Sequence, residues 1–336
     1  MPPSDPSFAV IVPAFNAAEF LKDCLASLEA AGFDLKDEVW VIDDGSKDET
    51  AQIARDHEVH LTRHERSKGA AAARVAGAEG RSVDILLFVD ADVLVAPDTK
   101  KRILRAFANP DTAAVFGAYD AFPTAPGLVS RYRNLLHRYV HLTSAGKAQT
   151  FWTGLGAVRR AAYEAVGGID PTQRMMEDVE FGMRLAVSGH TIVLDPEITG
   201  THQKHWSLSS MVKTDLFDRA IPWSRLLAQN TKRYGGLNLS PSRKGAAVAA
   251  AGVGLGLISF PFWQGGMVVL LLSTLAFIVL SWPFFRWLAG LRGVAFAAGA
   301  VLPHLVHNWC ALAGYSWVRL EQLRFGGNCS PLEKTN

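Results

Sequence analysis

From Gly245 to Phe285 the chain carries no Asp, Glu, Lys, Arg or His. One helical crossing of a bilayer needs about 20 apolar residues, so a stretch of this length suffices for two. Arg286 and Arg292 follow, and Gly293 to Val318 then carries only His304 and His307, enough for a third crossing. Helices buried in a soluble core rarely stay uncharged for so long. Before residue 243 or so the pattern differs: charges alternate with apolar runs, as in a soluble α/β protein. The hydrophobic fraction of 49% over 336 residues therefore averages two unlike regions. They are a domain over 7–240 and two or three transmembrane helices over 244–320. Arg243 and Lys244 precede the uncharged stretch, and the turn near Pro261 to Gly266 has no Lys or Arg. By the positive-inside rule the basic ends face the cytosol and the turn faces outward. The expectation is a multi-pass membrane protein whose soluble domain is cytosolic.

The net charge of +2 points to no particular partner, nucleic acid included. Cys24, Cys310 and Cys329 form no CxxC pair, which suits a reducing compartment and argues against a disulfide scaffold or zinc site. Met1 to Pro6 has neither a basic start nor an apolar signal core, so no secretory signal is expected.

Within the soluble part, strands are expected at Phe8–Val12 (stopped by Pro13), Val39–Ile42, Val59–Thr62, Ile85–Val89 and Ala113–Ala118. Between them, helices are expected from Asn16, as cap, to Ala31, then at Asp48–Asp56, Ala70–Gly80 and Pro97–Ala108. Such alternation implies a mostly parallel, Rossmann-like sheet with helices on both faces. After Gly117 it breaks. Gly127 to His141 and Arg219 to Arg233 interleave apolar and aromatic residues with Arg and Lys at helical spacing. Each suits either a membrane surface or an ordinary packed helix.

Three acidic clusters carry the chemistry. Asp43-Asp44 and Asp90-Ala91-Asp92 each follow an apolar strand, where open α/β sheets bind ligands. In Asp43-Asp44-Gly45-Ser46 a carboxylate can accept hydrogen bonds from a nucleobase or ribose; a turn with solvated acids is the plain alternative. Asp90 and Asp92 repel each other unless a cation compensates, and Mg2+ or Mn2+ on a diphosphate is the obvious one. Ser67-Lys68-Gly69 feeds an Ala-rich helix whose N-terminal amides suit phosphate, with Lys68 or Arg74 adding positive charge. Trp152 and Gly154 lie in an aromatic, glycine-rich segment suited to a sugar acceptor or to a bulged strand. Glu177-Asp178 opens a helical pattern, and Asp178 can either complement the helix dipole or deprotonate an acceptor hydroxyl. In His202-Gln203-Lys204-His205-Trp206, a histidine can complete a metal shell or meet phosphate, with His205 and Trp206 toward the acceptor.

The ordered set of Phe8–Asn16, Val41–Ser46, Asp90-Ala91-Asp92, Gly154 with Arg159-Arg160, and Glu177-Asp178 resembles the inverting glycosyltransferases of family 2. The likeness covers about residues 7 to 210. It implies the GT-A nucleotide-diphospho-sugar transferase fold. By position it implies that Pro13, Phe15, Asn16, Asp43 and Asp44 line a nucleoside pocket, while Asp92, with Asp90, serves metal and diphosphate. It further implies Asp178 as base, beside Glu177, and His202 as a ligand to metal or leaving group. Two departures stand out: Ser67 and Val75 replace two asparagines of the family's phosphate-side helix, and the Gln-x-x-Arg-Trp signature of processive synthases is missing. The resemblance therefore implies transfer of a single sugar from a UDP or GDP donor. With the membrane tail, it points to a lipid or lipid-linked acceptor, as in envelope or glycolipid synthesis. A sugar nucleotidyltransferase would not need Glu177-Asp178 or the tail. A non-catalytic scaffold that binds nucleotide sugar would not need Asp92 and Asp178 intact.

Overall fold

The computed structural model describes residues 6–229 and 240–325. Lys232, Arg233, Cys329 and the first five residues, named above, lie outside the described residues. The first strands and helices are β1 (Phe8–Ala14), α1 (Ala18–Ala30), α2 (Leu35–Glu38), β2 (Val39–Asp43), α3 (Thr50–Asp56), β3 (His60–Arg63) and α4 (Ala70–Ala78). Then come β4 (Ile85–Val89), β5 (Val93–Val95), α5 (Thr99–Phe107), β6 (Thr112–Tyr119), α6 (Leu128–Leu142), β7 (Gly146–Ala148) and β8 (Leu155–Arg159). The soluble part closes with α7 (Arg160–Ala165), α8 (Glu177–Val187), β9 (Thr191–His202), α9 (Leu208–Lys213), a π-helical segment (Thr214–Ala220) and α10 (Ile221–Gln229). The tail holds α11 (Pro241–Ser259), α12 (Gln264–Arg292), α13 (Val294–Gly299) and α14 (Val301–Phe325).

The chain divides into two compact units. One comprises residues up to Pro126 with Asn134–His205; the other comprises Gly127–Arg133 with the residues from Trp206 on. In the first unit, nine strands form one sheet in the order β3-β2-β1-β4-β8-β6-β9-β5, with β7 against β9. β1 to β4, β6 and β9 share one direction, while β8 lies antiparallel between β4 and β6. β1 and β4 are buried along their lengths, which is why they read as unbroken apolar runs. β1 continues through Pro13 to Ala14, past the expected stop. β4 pairs with it only as far as Ile11, so the missing proline N–H leaves no ladder bond unmade there. Asn16 precedes the helix cap, which is Ala17, and adopts a left-handed φ of 49°. Gly77, a weak helix former, is required because a Cβ there would lie 2.3 Å from Ile11 Cγ2.

The carboxyl ends of the co-directional strands share an edge. Ala14 pairs with Asp43, Ile11 with Phe88, and His202 at the end of β9 with Val93. The antiparallel β8 begins at that edge, where Asp90 N–H donates to the Gly154 carbonyl. A crevice outside these strand ends is where open α/β sheets bind ligands.

In the second unit α11 and α12 form a hairpin through residues 260–263. Its helices meet at small residues: a Cβ on Gly256 would lie 2.6 Å from Leu270 backbone, and one on Gly252 2.2 Å from Ser273 Oγ. Gln264–Arg292 and Val294–Arg324 are each long and apolar enough to cross a bilayer. Several polar groups of this unit are paired. Asp215 meets Arg133 Nη2 at 2.6 Å and His307 Nδ1 at 2.7 Å, and Tyr132 Oη lies 3.0 Å from His304 Nδ1. Trp309 donates to the Ala250 carbonyl.

Asp215 and Arg133 are buried, whereas the Arg225–Glu321 pair is partly exposed. Removing one partner of a buried pair leaves a desolvated charge and costs about 3–5 kcal/mol; an exposed pair contributes about 1 kcal/mol or less. Denaturant titration in detergent should therefore show Asp215→Asn destabilised several-fold more than Arg225→Ala. Equal losses would contradict the structural role given to this cluster.

Candidate active site

A cleft of about 420 Å³ opens at the strand-end edge, lined by Pro13, Phe15, Asn16, Asp44, Arg74, Asp90 and Asp92 among others. Asn16 ties its near wall together, its N–H donating to Ser46 Oγ and its Oδ1 accepting from Lys47 N–H. Phe15 stays 53% exposed at the mouth.

Asp43 is sealed from solvent, accepting from Ser46 N–H and pairing with Arg63. Asp44 accepts from His64 Nδ1, Ser67 Oγ and the amides of Lys68 and Gly69. Burial raises its carboxyl, but those donors outweigh it and hold the group below its usual range. Asp43 thus holds the turn after β2 and the end of β3, Asp44 clamps the 64–69 loop to the end of β2, and of the two only Asp44 borders the cleft. The amides of Lys68 and Gly69 are spent on Asp44, and the Lys68 side chain is exposed.

Arg74 is 5% exposed and points back from α4 between two acids. Its Nη2 lies 2.6 Å from Asp90 Oδ1, and its Nη1 donates to Glu177 Oε1. One guanidinium therefore ties the end of β4 to the start of α8, which leaves from Met176 in the left-handed region at φ 62°. Glu177 is spent on that bond. Its neighbour Asp178 accepts from Val179 N–H at 2.8 Å and Thr153 N–H at 3.5 Å. Burial first, then the charge of Glu177, pushes the Asp178 carboxyl up to about 7, partly offset by Arg74 and the two amides. A carboxylate tuned to neutrality suits proton abstraction.

Asp92 and His202 face each other, Nε2 to Oδ2 at 3.4 Å. Burial raises the Asp92 carboxyl, but the imidazole of His202 beside it, with the charge of Lys204, holds it below its usual range. The donor set, a carboxylate oxygen and an imidazole nitrogen, fits Mn2+ or Mg2+ with the remaining positions left to water and diphosphate. Among the described residues no three His, Cys, Asp or Glu side chains gather as a complete ligand set. Cys24 behind this edge is buried, and burial with the charges of Asp92 and Asp90 pushes its thiol far up, keeping it inert.

Trp152 is partly buried among rings, edge-on to Tyr119 at 4.9 Å and tilted against His137 at 4.7 Å. Gly154 is required by that ring, since a Cβ there would lie 2.4 Å from the indole. His205 is exposed. Trp206 is not ligand-facing: it is 7% exposed, belongs to the second unit, and packs under Arg133 with its N–H on Ser130 Oγ. Its expected acceptor-side position fails because its ring is consumed in packing. Lys204, Asn134, Tyr119 and His64 also belong to the site. Lys204 lay within a motif already singled out, but no local pattern marks the other three.

Residues 9–167 match the family described as Glycosyl transferase family 2. A pre-mycofactocin glycosyltransferase of Mycobacterium tuberculosis is 27% identical over 228 residues, 64% of this chain and 47% of its own. Validoxylamine A glucosyltransferase of Streptomyces hygroscopicus subsp. jinggangensis is 29% identical over 262 residues, 65% of this chain and 61% of its own. The chain thus spans about half the length of the first and less than two thirds of the second. Among solved structures, mannosyltransferase PcManGT from Pyrobaculum calidifontis, in complex with GDP-Man and Mn2+, superposes with a TM-score of 0.64 at 19% identity. The match covers 95% of this chain and 89% of that one, and it is a likeness of fold.

The raised Asp178 carboxyl has a stability consequence. Unfolded, it ionises near 3.8; folded, near 7. Between those values the folded state holds the extra proton, so stability falls as pH rises and the full penalty stands above 7. Asp178→Asn removes it. The variant should match wild type below about pH 4 and melt progressively higher than wild type up to neutrality. A melting difference independent of pH would contradict the shift.

Proposed function

We propose that the chain is a family 2 glycosyltransferase, on the match of residues 9–167 to that family and the likeness of fold to PcManGT, and that it is a membrane-bound enzyme that moves one sugar, with inversion, from a nucleoside-diphosphate sugar to a lipid or lipid-linked acceptor. The observation that carries this reading is the division of labour between adjacent acids. Glu177 is bound by Arg74, while Asp178 accepts from the backbone amides of Val179 and Thr153 and is raised to about 7. In the proposed reaction the acceptor hydroxyl attacks the anomeric carbon as its proton passes to Asp178. The glycosidic bond forms as the bond to the nucleoside diphosphate breaks on the opposite face. With a phosphate acceptor no base is needed, and Asp178 would position the sugar.

Phe15 and the Asn16 loop would receive the nucleoside, and Lys204 would add positive charge near the diphosphate. Asp92 and His202 would hold Mg2+ or Mn2+, which supplies Lewis-acid stabilisation of the departing diphosphate. Trp152 offers an aromatic face to the acceptor sugar. The bound Mn2+ and GDP-Man of PcManGT favour this assignment of cation and donor class. The tail favours a lipid acceptor: Leu271, Leu272, Leu275 and Val279 of α12 are each more than 60% exposed, a face suited to lipid.

Purified protein in detergent, given UDP- and GDP-hexoses with a lipid extract, should form glycolipid and lose that activity in EDTA. Asp178→Asn should lower turnover about 10²- to 10⁴-fold, and wild-type kcat/KM should rise with pH through about 7 as Asp178 ionises. Undiminished turnover of the variant on a hydroxyl acceptor excludes Asp178 as base.

Topology is tested separately. Phe262, 87% exposed in the α11–α12 turn, and Ser242, exposed in the first turn of α11, are suitable for cysteine substitution; Gly265 is not, because its Cβ would strike Trp263. In a background without native cysteines, Phe262→Cys and Ser242→Cys should label with an impermeant thiol reagent from opposite sides. Labelling from one side refutes the hairpin crossing.

A further inference from the structure

Asn134 lies on α6, 1% exposed, in a position that no motif marks. Its Oδ1 sits 2.8 Å from His202 Nδ1. Its Nδ2 is buried and makes no hydrogen bond. A buried amide that leaves one end unsatisfied is a poor choice for fold stability alone. Its other end is aimed at the one ring that faces Asp92. Tyr119 stacks flat on that ring, centroids 4.6 Å apart and planes 16° from parallel. Face and edge of the imidazole are therefore both constrained.

An imidazole can ligate a cation only through a nitrogen that carries no proton. With Oδ1 toward the ring, Nδ1 must donate, and Nε2 is left with its lone pair directed at the Asp92 side. Nε2 is not already spent there, since 3.4 Å exceeds an N–H···O bond of ordinary strength. Turned the other way, the amide would donate to Nδ1 and force the proton onto Nε2, abolishing the ligand. The orientation of one amide thus selects the tautomer.

We propose that Asn134 is a positioning residue, with Tyr119 as its stacking support, that fixes His202 as the Nδ1–H tautomer and presents Nε2 for a divalent cation shared with Asp92. This rests on the assignment of Asp92 and His202 as cation ligands. It adds a residue that touches neither cation nor substrate.

Mn2+ binding to the full chain in detergent, followed by calorimetry and by pulsed electron paramagnetic resonance for histidine nitrogen coupling, tests it. Wild type should show the coupling, and His202→Ala should abolish it. Asn134→Leu should weaken Mn2+ binding about 10- to 100-fold and lose the coupling, whereas Asn134→Asp, which keeps the acceptor, should retain both. A wild type without coupling means that His202 is not a ligand and overturns the inference together with its premise. Coupling and affinity preserved in Asn134→Leu, with His202→Ala abolishing both, overturn the inference alone. A measurement on folded wild type stands apart from any folding defect. In the 15N spectrum of the histidine-labelled, cation-free chain, the resonances lost in His202→Ala should be those of an Nδ1–H ring. An Nε2–H ring contradicts the proposal.

Discussion

Arg74 is a single buried guanidinium shared by two carboxylates that belong to different parts of the chain. Asp90 ends a central strand, and Glu177 begins a helix that follows a left-handed turn. Arg74 and Glu177 are buried while Asp90 faces the cleft, and the buried cation would not tolerate its depth without these acids. The consequence is that Asp178 sits one residue from an ionised glutamate whose counter-charge is already engaged. It is raised by burial and by that neighbour. Arg74 partly offsets that rise, and a change at Arg74 would act on the strand end, the helix start and Asp178 together.

Much of the sheet from β1 to β4 was legible because parallel strands buried on both faces must be continuously apolar, and ligand residues collect where such strands end. Val39–Asp43 and Ile85–Val89 fall where the apolar runs indicated, and the acids after them lie at one edge. The insertion of β8 between β4 and β6 was not legible, since strand order depends on contacts distant in sequence. What each acid does was also hidden. Asp43 and Asp44 read as a ligand-facing pair, yet their oxygens are taken by Arg63, His64, Ser67 and two amides of a loop twenty residues away. Trp206 beside His205 read as acceptor-side, and its ring packs against Arg133 from α6. Asn134 could not be found from local pattern, because its importance lies in which atom of its amide meets His202.

The tail obeys a second constraint. Helices that expose Leu and Val must satisfy their polar groups internally. His304, His307, Asp215, Arg133 and Tyr132 do this as one connected set, and Trp309 caps a carbonyl of α11. His304 and His307 looked expensive for a crossing segment; their partners come from α6 and from the π-helical segment. A π-helical stretch is itself uncommon, and here it carries Asp215 to both partners.

The central claim is that Arg74 holds the end of β4 and the start of α8 as one element. Hydrogen exchange on Arg74→Met against wild type tests it most directly. The account predicts that amides of residues 90–93 and of 177–181 lose protection together, while those of β1 and β2 keep theirs. Unchanged protection at both segments, or loss at only one of them, would contradict it.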